Sequence, residues 1–349
     1  MRNDLVRVAV IGAGFISNYH INGLKAVRNA EIVAVADPNG ERAEASARAH
    51  GIKAASDDYR RLLDRNDVHA VVVSTPDNTH EEVALAAIDA GKAILLQKPM
   101  AMTVEGCRNL ISRAKAAKVD LQVSWMHRYF EEVAYAEELL RDQRMGVVNT
   151  VRIRNAVSPA VDKAWYYKKG VVAGGCVLQL GIHGIDLSQH LIGRISSVNA
   201  TTAILVKNRT MPDGSVISQE VEDHALAQYR FAGGALGTHE MTSCEAQGTD
   251  RFSMEIYCAN GTMLLRGSRG ALALWAPDVL GRQGWMVPVL PEKPFGARHH
   301  AWWIEILCGM RPSEDTAADA LSAQIVAEAI YESARTGARQ DIQRENHKE

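Results

Sequence analysis

Val6-Arg7-Val8-Ala9-Val10-Ile11-Gly12-Ala13-Gly14-Phe15-Ile16-Ser17 is the stretch from which the fold can be read. A short apolar, β-branched run ends at Gly12, and a helical pattern follows over about 16–27. A strand that passes through two glycines into a helix opens a βαβ unit. Gly12 permits the tight turn, and Gly14 lets the backbone approach a pyrophosphate. The helix N-terminus offers free N–H groups to that negative charge. Ser17 stands where the third glycine of G-x-G-x-x-G would be and is small enough for close helix–strand packing. Phe15 and Ile16 complete the loop and are expected beside the dinucleotide. Asp37 closes the next strand, over 31–36. A carboxylate there accepts hydrogen bonds from ribose hydroxyls and repels a 2′-phosphate, which favours NAD and disfavours NADP. Arg42 could accommodate such a phosphate, but is read as a solvated helix residue.

Working outward, helical patterns cover 41–50 and, capped by Ser56, 57–64. Ala70-Val71-Val72-Val73 is apolar on both faces, as a strand of a covered parallel sheet should be. Thr79-His80-Glu81-Glu82 has the spacing of a capping box, and Gly91 stops the helix that follows. Strands over 93–96 and 121–124 flank a helix that Thr103 can cap. Alternating strands and helices predict a parallel sheet with right-handed crossovers. After about residue 126 the pattern changes. A helix over 131–144 and a strand over 147–156 lead to Gly174-Gly175 and a helix through His190. Residues 195–275 then read as strands and tight turns. Phe252 to Cys258 alternates with period two, and Asn260-Gly261 supplies a hairpin turn. Helices return over 297–308 and 316–336. The predicted fold is α/β: an N-terminal Rossmann doubly wound parallel sheet (1–125), plus a C-terminal α+β domain with a largely antiparallel sheet (126–349). The first would bind NAD; the second would bind substrate and mediate assembly.

Composition narrows the function. Of 349 residues, 47% are hydrophobic and 23% charged, ordinary for a globular chain of two domains. Lys plus Arg is 39 and Asp plus Glu is 41, a net charge of -2 that lacks the basic signature of a nucleic-acid binder. No apolar run approaches the ~20 residues that span a bilayer, so no membrane partner is expected. Met1-Arg2-Asn3-Asp4 has no signal-peptide layout, and the expected location is the cytoplasm. The dispersed Cys107, Cys176, Cys244, Cys258 and Cys308 read as small buried residues in a reducing compartment, not as a disulfide framework or zinc site.

Two further segments carry a family resemblance. One is Thr75-Pro76-Asp77-Asn78-Thr79-His80, followed by Ala90-Gly91-Lys92 and Gln97-Lys98-Pro99. The other is Gly174-Gly175-Cys176-Val177-Leu178-Gln179-Leu180-Gly181-Ile182-His183-Gly184-Ile185-Asp186. With the fingerprint, these resemble the Gfo/Idh/MocA family of NAD(P)-dependent oxidoreductases over essentially the whole chain. The resemblance implies that Thr75, Pro76, His80, Gln97 and Lys98 line the cofactor, and that Lys98 is the catalytic-site lysine. His183 and Asp186 match the family's His-x-x-Asp. Two departures stand out: Gln97 replaces the Glu of Glu-Lys-Pro, and Gln179 stands where an acidic residue is common. The family's Lys-Pro bond is often cis, so Pro99 is predicted cis.

Oxidising a secondary alcohol needs a hydride acceptor, a base for the hydroxyl proton and a stabiliser of the developing oxyanion. A lysine at the C-terminal end of a parallel strand sits where such folds hold ligands. Its ammonium can hydrogen-bond the reacting oxygen. His183 can take a proton near neutral pH, and Asp186, at i+3 on a helix, can orient it. A swap of roles, with Lys98 as base, is the alternative. Gln179 can bind a substrate hydroxyl but cannot titrate. His-x-x-Asp spacing also admits a metal; with two carboxylates missing, no metal is expected. His299-His300 before Trp302-Trp303 reads as a helix start with an aromatic face toward the core. Trp125, His127, Arg128 and the loop Trp165-Tyr166-Tyr167-Lys168-Lys169 are expected around the substrate, by ring stacking and charge. The predicted function is NAD-dependent dehydrogenation of a sugar, cyclitol or sugar acid. The alternatives are an enzyme with retained NAD that epimerises or eliminates by transient oxidation, and a non-catalytic NAD-binding regulator. A homodimer or homotetramer that pairs the antiparallel sheets is expected, because the alternation at 252–258 leaves one side partly apolar.

Overall fold

The structure, a computed structural model, describes residues 5–160, 163–247 and 250–343. The chain forms two compact units, Met1–Tyr129 with Glu292–Leu321, and Phe130–Pro291 with Ser322–Glu349.

The first unit is a parallel sheet with helices between its strands. Its elements are β1 (Val6–Ile11), α1 (Phe15–Lys25), β2 (Ala30–Ala36), α2 (Gly40–His50), β3 (Ala55–Ser56), α3 (Arg60–Leu63), β4 (Ala70–Val73), α4 (His80–Asp89), β5 (Ala93–Leu96), α5 (Val104–Ala117) and β6 (Leu121–Val123). The strand order β3-β2-β1-β4-β5-β6 reverses direction between β1 and β4, the switch point where such sheets bind ligands. Every residue of β4 is fully buried, which accounts for its unbroken apolar run. The core beside it includes Val8, Val10, Val35, Val72 and Leu95 with Ile21 and Leu24 of α1. Trp302, Trp303 and Ile304 complete that core, so the Ala297–Leu307 helix belongs to this unit although it lies late in the chain. His299 and His300 are fully buried on the same helix, as its predicted aromatic face requires.

Thr103 caps α5 through the Gly106 amide at 3.1 Å, as predicted. The Thr79 capping box does not form. Residues Asp77–Thr79 make a 3₁₀ turn, and the Thr79 hydroxyl instead lies 2.8 Å from both the Pro76 carbonyl, to which it donates, and Thr75 Oγ1. Glu82 accepts from Tyr59 and Arg60.

The second unit contains α6 (Glu131–Arg141), β7 (Val148–Ala156), α7 (Ile182–Ile192), β8 (Ile195–Ala203), β9 (Asn208–Thr210), β10 (Val216–Ser218), β11 (His224–Phe231), β12 (Leu236–Thr242), β13 (Phe252–Cys258), β14 (Gly261–Gly267), β15 (Gly270–Trp275) and β16 (Gln340–Asp341). Eight of these strands form one sheet, β15-β14-β13-β7-β12-β11-β8-β16, antiparallel except for the parallel pair β7–β12. The hairpin at Asn260 turns one residue earlier than predicted, because Gly261 already pairs with Cys258. The apolar side of β13 is not left open for a partner: Phe252, Met254 and Ile256 are covered within the unit. The opposite face mixes the ion pair Arg152–Glu255 with half-exposed Leu226 and Leu236. No helix among the described residues is long and apolar enough to cross a membrane.

Candidate active site

Gly12 ends β1 with φ +97°, a conformation that side chains resist. A Cβ there would also stand 2.5 Å from the Ser74 carbonyl at the end of β4. Gly14 differs. It begins α1 with φ -82°, and a Cβ would meet nothing within 4 Å. Nothing inside the protein demands a glycine at 14; the open space beside its backbone suits a ligand's approach. Ser17 is buried, and its hydroxyl donates to the Gly14 carbonyl at 2.5 Å, closing the loop that a third glycine would otherwise serve. Phe15 is exposed and Ile16 half-buried at the start of the helix. The N-terminal end of α1, with its dipole, and this glycine cradle fit a dinucleotide pyrophosphate.

Asp37 is buried at the end of β2, and its carboxylate is fully engaged. It accepts from Ala13 N at 3.0 Å and Asn39 N at 2.9 Å. Arg42 Nε and Nη2 donate to its two oxygens at 2.9 and 2.6 Å, a bidentate pair. Arg42 is a solvated helix residue, as read, and in addition a helical turn brings its guanidinium over the acid. Burial pushes the Asp37 carboxyl up, but Arg42 and the Ala13 and Asn39 amides outweigh this and hold it below the usual carboxylate range. The stability this contributes is complete above the unfolded value of about 3.9 and is lost as pH falls through the depressed one. Asp37→Ala would remove the negative charge at the strand end and release the guanidinium for a 2′-phosphate. The ratio of NAD to NADP affinity should fall by about 10–100-fold. Calorimetry with both cofactors checks this; tighter NADP binding by the wild-type protein would overturn the role given to Asp37.

At the neighbouring strand ends, Thr75 is half-buried and Pro76 exposed. His80 is held from both sides. It is buried, with Nδ1 2.7 Å from the Pro99 carbonyl and Nε2 2.9 Å from the Thr75 carbonyl. It staples two loops at the ligand edge of the sheet. The Lys98–Pro99 peptide is cis, as predicted. Lys98 is partly exposed just beyond β5, and its backbone N–H donates to Gln97 Oε1 at 3.0 Å. Trp125 and Arg128 are both buried. Trp125 is a core residue whose indole N–H donates to the Thr316 carbonyl at 3.2 Å. Arg128 is buried and pairs with Asp319 at 2.7 Å.

In the second unit, packing forces the glycine pair. A side chain at 174 would collide with the Tyr331 hydroxyl, and one at 175 with the Glu222 carbonyl. Glu222 was not visible as a functional residue in the sequence. Its carboxylate accepts from Gly175 N at 3.0 Å, Val177 N at 3.1 Å and Tyr331 OH at 2.8 Å, capping the segment from far along the chain. Burial raises its pKa despite these three donors. The chain then makes a π-helical turn, Val177–Gly181, before α7, a geometry often found at functional sites. Gly181 and Gly184 face the sheet; Cβ atoms there would strike Met241, and Asn155 and His239. Gln179, His183 and Asp186, all buried, therefore share another face by their spacing. Of the basic loop, Trp165 is 37% exposed and meets Tyr166 edge-on, whereas Tyr167 is buried and Lys168 pairs with Glu220 at 2.9 Å. Among the described residues, no group of three or more His, Cys, Asp or Glu side chains is placed to hold a metal ion.

This combination of a nucleotide-binding parallel sheet, a Lys–cis-Pro turn and a glycine-cradled His-x-x-Asp helix defines an oxidoreductase. Residues 6–125 match the oxidoreductase family with an NAD-binding Rossmann fold, and residues 133–264 match the Gfo/Idh/MocA C-terminal domain. The chain belongs to the Gfo/Idh/MocA family of NAD-dependent oxidoreductases. It is 26% identical over 324 residues to levoglucosan dehydrogenase of Pseudarthrobacter phenanthrenivorans, covering 83% of this chain and 82% of that one. It is 28% identical over 305 residues to scyllo-inositol 2-dehydrogenase (NAD(+)) of Bacillus subtilis, covering 86% and 84%. A solved levoglucosan dehydrogenase in complex with NADH superposes with a TM-score of 0.88 at 23% identity, over 97% of this chain and 99% of that one, a likeness of fold.

Proposed function

We propose that this protein oxidises a secondary hydroxyl of a neutral polyol, a sugar or a cyclitol, with NAD as hydride acceptor. Lys98, held on the ligand edge of the same sheet as the Gly12–Gly14 cradle, carries this reading. A neutral substrate is favoured over a sugar acid because the basic side chains expected to meet a carboxylate, Arg128 and Lys168, already pair with Asp319 and Glu220. The relatives named for levoglucosan and scyllo-inositol support the same substrate class.

In the mechanism we propose, the N-terminal end of α1 and the Gly14 backbone bind the pyrophosphate, with Asp37 at the ribose. The bound nicotinamide supplies the hydride acceptor. Lys98 donates a hydrogen bond to the reacting oxygen and stabilises its developing charge. His183 Nδ1 or Nε2 takes the hydroxyl proton, Asp186 orients the imidazole, and Gln179 and Trp165 bind the rest of the polyol. A panel of sugars, cyclitols and aldonic acids mixed with NAD tests the function. Reduced cofactor should accumulate with neutral polyols; accumulation only with aldonic acids would overturn the substrate class, and none with any of them would overturn the dehydrogenase.

The first unit is assigned the NAD-binding role and the second the substrate-binding and assembly roles. All five cysteines are unbridged, as suits a reducing compartment, and the cytoplasm is the proposed location. We also propose a homodimer or homotetramer that covers the outer sheet face bearing Leu226, Leu236 and Trp275, since exposed apolar side chains on a broad face suit a two-fold partner. Light scattering should give a multiple of 38.1 kDa for the wild type and a lower multiple for Leu226→Glu/Leu236→Glu. A monomeric wild type would refute it.

A further inference from the structure

Three buried side chains of the first unit, between two backbone groups, form one hydrogen-bonded file. Gln97 Nε2 lies 2.9 Å from His20 Nε2, and His20 Nδ1 lies 2.9 Å from His300 Nε2. His300 Nδ1 lies 2.7 Å from the Gly296 carbonyl. At the other end, Gln97 Oε1 accepts from the Lys98 backbone N–H. The direction of every bond follows from its last member. A carbonyl only accepts, so His300 carries its proton on Nδ1 and accepts at Nε2. His20 then donates from Nδ1 and accepts at Nε2, and the Gln97 amide donates to it. Each imidazole needs one proton, and each polar atom is used once.

A carboxamide closes this file with no ionised group and no additional proton. A carboxylate at 97 could accept from Lys98 N–H, but its second oxygen would face the His20 Nε2 lone pair. His20 would then need a second proton. Its surroundings oppose that charge: His20 and His300 are fully buried, and the rings of Tyr19 and His299 pack against both. The Tyr19 hydroxyl is itself 3.0 Å from His299 Nδ1, and Lys98 follows Gln97 in the chain. Burial and the neighbouring His300 drive the His20 pKa down, and burial takes His300 to about 4. Gly23 lies so close that a Cβ on it would strike the His300 ring.

We propose that Gln97 is a positioning residue for Lys98: the file Gly296–His300–His20, with one proton per imidazole, fixes its carboxamide, which holds the Lys98 backbone. The departure from Glu-Lys-Pro is thus matched to the two histidines behind it. This proposal rests on the reading of Lys98 as the lysine of the reacting hydroxyl, so the test separates the two. Histidine-selective ¹⁵N labelling and long-range ¹H–¹⁵N spectra of the wild-type protein should show His20 and His300 as neutral Nδ1–H tautomers from about pH 6 to 8. In Gln97→Glu, the file should take up one further proton, on His20 or on the new carboxyl, and kcat should fall about 10- to 100-fold while the NAD Kd stays within about twofold. An Nε2–H tautomer or an imidazolium at His20 in the wild type overturns the file. Expected tautomers with unchanged kcat in Gln97→Glu, while Lys98→Met is inactive, overturn the positioning role alone. Full activity of Lys98→Met overturns the reading of Lys98 beneath it.

Discussion

Lys98→Met and His183→Asn should each lower kcat by about 10²–10⁴-fold while NAD affinity changes by no more than about twofold. Both residues are assigned to the hydroxyl being oxidised, one as hydrogen-bond donor to the oxygen and one as base. Neither belongs to the Gly12–Gly14 cradle or to the Asp37 site that hold the nucleotide. A group that acts mainly in the transition state changes kcat and kcat/KM together. Gln179→Ala should instead raise KM with little loss of kcat, because a carboxamide binds a substrate hydroxyl equally well before and during the reaction. The pH dependence assigns the roles. With His183 as base, the acid limb of kcat disappears in His183→Asn. If it survives there and vanishes in Lys98→Met, the roles are reversed.

The two glycines of the nucleotide loop should fail in different ways. Gly12→Ala places a Cβ at φ +97° and 2.5 Å from the Ser74 carbonyl, which is backbone and cannot rotate away. Strain of about 1–3 kcal/mol for the dihedral and a similar amount for overpacking should lower Tm by about 5–20 °C and abolish NAD binding. Gly14→Ala meets no atom and no unusual dihedral. It should leave Tm within about 2 °C while weakening NAD by at least about tenfold, since the methyl group fills the space left for the pyrophosphate. Calorimetric melting and NAD titration of both variants check the pair. Equal NAD affinity in Gly14→Ala and wild type would remove Gly14 from the cradle.

The parallel sheet was legible because its signals are local. Val6 to Ile11 and Ala70 to Val73 are apolar runs bounded by turn residues, and Gly12 shows its role through the strand before it and the helix after it. Long-range partners were not legible. The Thr79 hydroxyl could cap a helix, and only the fold supplies Thr75 Oγ1 as its competitor. Asp37 and Arg42 were each noticed, but their bidentate pairing depends on the first turn of α2. Trp125 and Arg128 are of residue types that suit a sugar, and only the fold supplies Thr316 and Asp319 as their partners. Glu222 carried no signal at all, since it meets Gly175 only through the return of a distant strand connection. The aromatic stripe of the Ala297–Leu307 helix announced burial, yet nothing in its sequence told which core it would enter.

The most direct measurement follows the hydride itself. A neutral cyclitol or anhydrosugar that proves active in the panel is prepared with deuterium on its carbinol carbon and incubated with NAD and the wild-type protein, and the released cofactor is weighed by mass spectrometry. Direct transfer predicts NADH one mass unit heavier, formed more slowly than with the unlabelled substrate. Unlabelled NADH would contradict direct transfer from the labelled carbon, and with it the reaction proposed for this protein.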